Sequence, residues 1–225
     1  MKIPKSAIRW LPCWRIIPSR YPPVNPFERI AGPQNHRALA EIESMTNDRL
    51  RSGAPAWKDA AGTKPASNYI SAAFTHKNRR GSRFSDGSWG VYYAAFDLQT
   101  AIAETTYHRE NFLRATGEGA MFIDMRVLVA DLVGDFHDLR TLNEDVSDVY
   151  HPTNYGNSQA LALRLKSEDS NGLTYKSVRQ PDGLCTATFK AAVLSNCRQE
   201  RHLSYHWNGE KIVHVFEKRA LRKVS

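Results

Sequence analysis

The sequence has few cysteines and no long apolar run. Its three cysteines among 225 residues form no CxxC pair, which excludes a disulfide framework and a cysteine zinc site and favours a reducing compartment. No run approaches the ~20 apolar residues of a membrane-spanning helix. The basic N-terminus also lacks the apolar core of a secretory signal. We therefore expect a cytoplasmic protein with no membrane association.

Motifs for several enzyme classes are also missing. No GxGxxG follows a strand, which argues against a redox role for a dinucleotide. Neither Ser158 nor Ser177 lies in a GxSxG elbow, and Cys185 has no local catalytic signature. His202 and His206 are four residues apart, but a third ligand is not evident, so no metal site is expected.

The charge is unevenly distributed along the chain. The formal net charge is +8, yet residues 1–83 carry 15 Lys+Arg against 5 Asp+Glu, and the remainder carries 16 against 18. A basic segment of this kind suits a phosphate-bearing small ligand, an acidic protein partner or nucleic acid. A solvated basic surface explains it equally well, because no nucleic-acid-binding motif accompanies it.

The pattern predicts about six strands and three or four interspersed helices, an α+β chain with a mixed sheet or two packed sheets. The best-marked elements are strand VYYAAF, a helix capped by Asp97 with an apolar stripe ending at Phe112, strand MFIDMRVLV, a helix from Asn157 or Ser158 to about Lys166, strands LTYKSVR and LCTATF, and a hairpin at Asn208-Gly209. Residues 131–148 are predicted as loop and short helix, and residues 69–74 as either helix or strand. In VYYAAF, Tyr93 shares a face with Val91 and Ala95, and Tyr92 faces the core from the other side.

The first part of the chain is rich in proline and aromatic residues. Residues 1–36 are predicted to be extended and held to the core by their aromatic side chains, residues 36–50 to form a helix, and residues 51–67 a loop. We divide the chain into an N-terminal extension, residues 1–26, packed on the core, and a domain of residues 27–225.

Four side chains suggest a common chemistry: Arg83, Tyr93, Glu104 and Ser177. Arginine matches phosphate oxygens, and tyrosine offers a flat face to a heteroaromatic ring. A carboxylate stabilises the oxocarbenium-like charge that develops when a glycosidic bond breaks, and Ser177 with Arg179 could hold phosphate or ribose. The set suits cleavage at the ribose of nicotinamide dinucleotide, whose cationic leaving group needs no general acid. Taken singly, each residue also has an ordinary structural explanation.

Two segments resemble the RES domain family, named for its arginine, glutamate and serine and found in bacterial toxins. RFSDGSWGVYYAAFDLQTAIAET resembles the family's arginine, glycine-containing turn, YLA strand and TALAE helix. SQALALRLKSEDSNGLTYKSVRQPDGLCTATF resembles its later helix, its GI-Y-SVR strand and a following strand with cysteine and alanine. The resemblance covers roughly residues 27–216 and places Arg83, Tyr93, Glu104 and Ser177 on the family's active-site positions.

The resemblance implies a fold similar to ADP-ribosyltransferases, with mixed or antiparallel sheets and flanking helices. It implies a toxin that degrades NAD by cleaving the nicotinamide–ribose bond, either by phosphorolysis to ADP-ribose-1″-phosphate and nicotinamide or by hydrolysis. NAD is then a substrate and not a cofactor, and inorganic phosphate is an optional co-substrate. Two alternatives stay open: an ADP-ribosyltransferase that modifies a protein, and a basic nucleic-acid-binding module.

The implied partner is an Xre-type helix-turn-helix antitoxin, through which alone nucleic acid would be contacted. A homodimer and a hetero-oligomer with the antitoxin are both compatible with the sequence. The family also has an earlier arginine, best matched by Arg29 in FERIAG and second by Arg20 in PSRYPP. The implied roles are anion binding by Arg29 and Arg83, stacking on nicotinamide or ribose by Tyr93, support of the ribose and its developing charge by Glu104, and hydrogen bonding to substrate or phosphate by Ser177.

Overall fold

The computed structural model describes residues 3–19, 66–75, 78, 80–142 and 144–219. Within these residues the elements are, in chain order, β1 (Lys5–Pro18), α1 (Ala66–Thr75), β2 (Tyr92–Ala95), α2 (Leu98–Thr116), β3 (Met121–Asp138), a 3-10 helix (Glu144–Tyr150), α3 (Gly156–Ser167), β4 (Gly172–Lys176), β5 (Leu184–Thr188), a 3-10 helix (Ala191–Val193), β6 (Leu194–Trp207) and β7 (Ile212–Lys218). The chain is therefore α+β, as the sequence predicts.

The described strands form one mixed sheet in the order β1-β2-β5-β4-β3-β6-β7. β3 and β4 are parallel, and the other pairings are antiparallel. β1 pairs with β2 where Trp14 lies opposite Ala95, and it also pairs along its length with β3. The first five strands in the order therefore close into a ring, from which β6 and β7 continue outward beside β3.

The sheet buries apolar side chains on both faces. One core cluster joins the sheet to α2 and α3 through Ala101 and Leu165, and the other joins it to α1 through Ile70. Tyr92 is fully buried in the second cluster, whereas Tyr93 packs against the first. The predicted alternation of β2 is therefore confirmed, and it directs Tyr93 toward the side of the sheet that carries α2 and α3.

Helix α2 is positioned by its two ends. Oδ1 of Asp97 accepts a hydrogen bond from the backbone N of Thr100 at 2.8 Å, as the predicted N-cap requires. The helix ends at Gly117, whose φ of 65° is the left-handed conformation favoured by glycine. The predicted apolar stripe is wrong at its last member, because Phe112 is exposed and the neighbouring Leu113 is buried instead.

The prediction of a loop over residues 131–138 is wrong, because β3 continues to Asp138. Leu132 and Phe136 are buried there and lie opposite residues of β1. The acidic residues that suggested a loop either alternate outward, as Asp135 does, or are paired, as Asp138 is with Arg140 at 2.6 Å. A sheet strand accommodates both arrangements.

The remaining predicted elements are resolved as follows. Residues 69–74 lie in helix α1, and residues 5–18 are extended and form strand β1 of the sheet. The predicted helix over residues 36–50, the loop over residues 51–65 and the boundary at residue 26 lie outside the described residues. None of the described helices has the length and apolar character needed to cross a membrane.

Candidate active site

The site begins at a tight turn in which Arg83 and Phe84 are the two central residues. The backbone N of Ser82 donates to the carbonyl of Ser85 at 2.7 Å, and the reverse bond measures 3.4 Å. Phe84 is fully buried, with its ring edge against Tyr175 at a centroid distance of 4.9 Å. Because Phe84 is fixed in the core, the backbone of its neighbour Arg83 is fixed as well.

The hydroxyl of Tyr93 holds this turn from the sheet. It accepts a hydrogen bond from the backbone N of Phe84 at 2.9 Å and lies 2.8 Å from Oγ of Ser82. Burial raises the pKa of Tyr93 to about 12, so the hydroxyl stays protonated near neutral pH. Because the Tyr93 hydroxyl is bonded to the turn, a stacked ligand would contact the ring of Tyr93 and not its hydroxyl.

The guanidinium of Arg83 is buried and held by main-chain carbonyls. Nη1 donates to the carbonyls of Val149 and His151 at 3.0 and 2.9 Å, and the guanidinium carbon lies 4.7 Å from the ring centroid of Tyr155. Only 9% of the residue is exposed. No carboxylate among the described residues pairs with it. A positive charge at this position attracts an anionic ligand.

Glu104 and Ser177 are joined directly. The hydroxyl of Ser177, just after β4, donates to Oε1 of Glu104 at 2.6 Å and accepts from the backbone N of Arg179 and Gln180, each at 3.0 Å. Within the part of the chain that the structure describes, Oε2 of Glu104 has no hydrogen-bond partner. Ser177 thus holds the carboxylate at Oε1, and Oε2 is left available to a ligand.

Cys185 lies against the same carboxylate, with its Sγ 3.9 Å from Oε1 of Glu104. Burial, and then the negative charge of Glu104, raise the pKa of the Cys185 thiol well above its usual value. A thiol held protonated is a poor nucleophile. Cys185 therefore contributes packing and a weak sulfur–oxygen contact.

Arg179 provides a second cation next to the Glu104 helix. Its Nη2 donates to the carbonyl of Pro152, and its guanidinium carbon lies 3.4 Å from the ring centroid of Tyr107. Like Arg83, it forms no ion pair within the described residues. Tyr107 is three residues after Glu104, so the two side chains share one face of α2.

His108 follows on the same face, one helical turn after Glu104. The residue is exposed, yet desolvation of its side chain and then the positive charges of Arg109, Arg179 and Arg83 lower the pKa of His108 to about 4. Three arginines therefore act on one point beside Glu104.

Direct contacts join the predicted site residues in two pairs: Tyr93 holds the turn that carries Arg83, and Ser177 donates to Glu104. Tyr175 is buried between these groups, and burial, then electrostatic interaction with Cys185 and Glu104, raise its pKa well above the usual value. Arg29 and Arg20, predicted to supply the earlier arginine, lie outside the described residues.

Sequence reasoning missed the segment of residues 149–159, which holds Arg83. Its contacts with the turn are mostly through main-chain carbonyls, which leave no residue-type signal in the sequence. Tyr107 and His108 could have been found, because they follow Glu104 at the helical spacings of three and four residues.

The histidine pair weighed as a metal site has other neighbours. Nε2 of His202 lies 2.8 Å from the amide nitrogen of Gln199, and the ring of His206 stacks on Phe122 at 4.7 Å. Among the described residues no group of three or more His, Cys, Asp or Glu side chains could hold a metal ion.

Comparison with known proteins identifies relatives of this chain. Residues 57–208 match the RES domain. The uncharacterized protein y4oC of Sinorhizobium fredii is 34% identical over 203 residues, which cover 88% of this chain and 84% of that protein. The crystal structure of the M. tuberculosis MbcT–MbcA toxin–antitoxin complex contains a chain that is 14% identical, with a TM-score of 0.46, and the match covers 90% of this chain and 87% of that chain.

Proposed function

We propose that this chain, which belongs to the RES domain family, is the toxin of a toxin–antitoxin pair and degrades NAD by breaking the nicotinamide–ribose bond. The observation that carries the proposal is the carboxylate of Glu104, held at Oε1 by Ser177 and presenting Oε2. Arg179 follows two residues after Ser177, and its guanidinium and that of Arg83 donate to carbonyls of the same segment, residues 149–152. Neither guanidinium has a carboxylate partner in the described part of the chain. A carboxylate next to unneutralised cations suits a substrate with a sugar and a pyrophosphate.

The carboxylate supplies the chemical step. The bond between ribose C1 and the nicotinamide nitrogen breaks, and its electron pair goes to the nitrogen, which loses its positive charge. Because the leaving group departs neutral, no acid is needed to protonate it. The ribose carries oxocarbenium-like charge during the step, and a fixed carboxylate stabilises that charge. An oxygen of water or phosphate then bonds to C1, with loss of a proton when water is the nucleophile.

The arginines supply binding. A guanidinium offers paired donors to phosphate oxygens, and Arg83 and Arg179 each direct one nitrogen to carbonyls of residues 149–152. The pyrophosphate of NAD, or inorganic phosphate as co-substrate, would engage the remaining donors. No resident cofactor or metal is required for this chemistry.

The experiment is incubation of the purified chain with NAD, with and without phosphate, while nicotinamide and the sugar product are measured. Nicotinamide release that depends on phosphate supports phosphorolysis, and release without phosphate supports hydrolysis. Transfer of labelled ADP-ribose to protein in place of a free sugar product would replace the proposal with a transferase. Absence of turnover together with salt-sensitive nucleic-acid binding would replace it with the nucleic-acid-binding alternative.

The proposed partner is an Xre-type helix-turn-helix antitoxin, as the resemblance implies. An enzyme that drains a central cofactor must be restrained, and a site with uncompensated arginines attracts a carboxylate-bearing segment. We expect the antitoxin to occupy the site and to suppress NAD turnover in a stoichiometric complex. Full turnover in that complex would contradict occlusion of the site.

A further inference from the structure

We propose that Gln159, on α3, is a positioning residue for Arg83. Its amide nitrogen Nε2 donates to the carbonyl of Ser82 at 2.9 Å and to the carbonyl of Ser85 at 3.3 Å. These two residues flank the turn whose centre is Arg83 and Phe84. The side chain of Gln159 thus bonds to both ends of the turn.

The amide of Gln159 and the hydroxyl of Tyr93 bind different groups of the same turn. The hydroxyl holds the N–H of Phe84 and the side chain of Ser82 from the sheet, and the amide holds the two flanking carbonyls from the helix. Together they fix both donor and acceptor groups of the turn. Loss of the hydroxyl leaves the N–H of Phe84 without its acceptor, and loss of the amide leaves the two carbonyls with only the hydrogen bonds of the turn itself, so the turn is then free to shift.

The glycine at position 81 provides room for this bridge. A Cβ at Gly81 would lie 3.1 Å from Nε2 of Gln159 and 3.0 Å from the carbonyl oxygen of Ser85. The φ of Gly81 is also +76°, a conformation that side chains disfavour. The chain therefore has its smallest residue where the amide approaches the turn.

Gln159 lies in the same stretch of chain, residues 149–159, that contacts the side chain of Arg83. Val149 and His151 accept from the guanidinium, and Tyr155 lies under it. Gln159 ties the backbone of Arg83 to that segment, so the backbone and the guanidinium are positioned by one continuous stretch of chain. A shift of the turn would therefore move the guanidinium of Arg83 relative to the anion that it is proposed to bind.

The kinetic test rests on the proposed function, with Arg83 binding the anionic part of NAD. Gln159→Glu keeps the size of the side chain, but an ionised carboxylate cannot donate to carbonyls. Gln159→Met removes the amide without adding charge. Gln99→Glu, at an exposed position on α2, makes the same amide-to-acid exchange away from the turn and serves as the matched control.

We expect both Gln159 variants to lower kcat/KM for NAD at least tenfold, mainly by raising KM, and the Gln99 variant to match the wild type. Wild-type kinetics in folded Gln159→Glu and Gln159→Met would overturn the proposal, and so would a fall in kcat at unchanged KM. Restoration of KM by Gln159→Lys, which regains a donor, would support it.

A second measurement separates this proposal from the proposed function. Hydrogen exchange at the backbone N–H groups of Ser82 and Ser85 reports the turn without any substrate. We expect faster exchange in Gln159→Glu than in Gln99→Glu. If the wild type releases no nicotinamide, the proposed function fails, yet this exchange difference still decides whether Gln159 holds the turn.

Discussion

The hydroxyl of Ser177 lies 2.6 Å from Oε1 of Glu104, and this bond joins residues 73 positions apart in the chain. One partner projects from the middle of helix α2 and the other from the end of strand β4. Because Ser177 also accepts two backbone N–H groups, its hydroxyl proton is left for Glu104. The carboxylate is therefore oriented by parts of the fold that are themselves rigid.

Replacing Glu104 with Gln tests the carboxylate as the charge-stabilising group. The amide oxygen can still accept from Ser177, so folding should be retained, but the negative charge opposite the ribose is lost. We expect the rate of nicotinamide release to fall by about 100-fold or more, mostly in kcat. Glu210→Gln, at an exposed position, is the control for the same exchange. Undiminished turnover in a folded Glu104→Gln protein would exclude this mechanism.

Replacing Ser177 with Ala tests orientation of the carboxylate. Oε1 of Glu104 loses its donor, and the N–H groups of Arg179 and Gln180 lose their acceptor. We expect kcat to fall about tenfold and the free energy of unfolding to fall by about 1–3 kcal/mol. Ser177→Thr keeps the hydroxyl and should recover most of the activity. Equal loss in both variants would show that the hydroxyl is not the group that matters.

Replacing Arg83 with Lys tests whether the fork of donors is needed or only the charge. An ammonium group cannot serve two carbonyls, lie flat on Tyr155 and bind phosphate at once. We expect KM for NAD to rise at least tenfold while kcat changes less. Titration with NAD followed by nicotinamide release gives both constants. A wild-type KM would mean that this residue supplies charge alone.

Replacing Tyr93 with Phe tests the hydroxyl anchor apart from the ring. The N–H of Phe84 loses its acceptor, and we expect the free energy of unfolding to fall by about 1–3 kcal/mol. Because Gln159 holds the same turn, the effects of Tyr93→Phe and Gln159→Met on KM should not be additive. The measurement is a double-mutant cycle, and additive effects would indicate that the two side chains act on separate elements.

His108 predicts a pH dependence of stability. Its pKa is lowered from 6.5 to about 4 in the folded protein, so between these values the unfolded chain binds more protons. The free energy of unfolding should fall as the pH drops through this window. His137, whose pKa is lowered by burial and by Lys5, adds a slope of the same sign. In denaturant unfolding, the stability of the wild type should fall more steeply with decreasing pH between 6.5 and about 4 than that of His108→Asn, and parallel curves would count against the shift.

The elements that carry Glu104 and Ser177 could be predicted because their signals are local. Asp97 fixes where α2 begins, helical spacing then places Glu104, and the turn after LTYKSVR places Ser177 near a strand end. Alternation in VYYAAF separated Tyr93 from Tyr92 in the same way. In each case the deciding interactions lie within a few residues.

The surroundings of Arg83 could not be predicted from the sequence. Its guanidinium bonds to carbonyls 66 and 68 residues away, and every residue of any type has a carbonyl. Gln159 contacts the turn across 77 residues, again through carbonyls. The length of β3 was missed for a related reason: acidic residues that suggest a loop are compatible with a strand when they alternate outward or pair with arginine.

The pairing of β2 with β5 also governs when the site can form during synthesis. Tyr93 lies opposite Ala187, and Glu104 accepts a hydrogen bond from Ser177, which is synthesised 73 residues later. A nascent chain that has not yet released residue 188 from the ribosome lacks both the neighbouring strand and the orienting group. Most of the residues before Ser177 are thus synthesised before the bond between Glu104 and Ser177 can form.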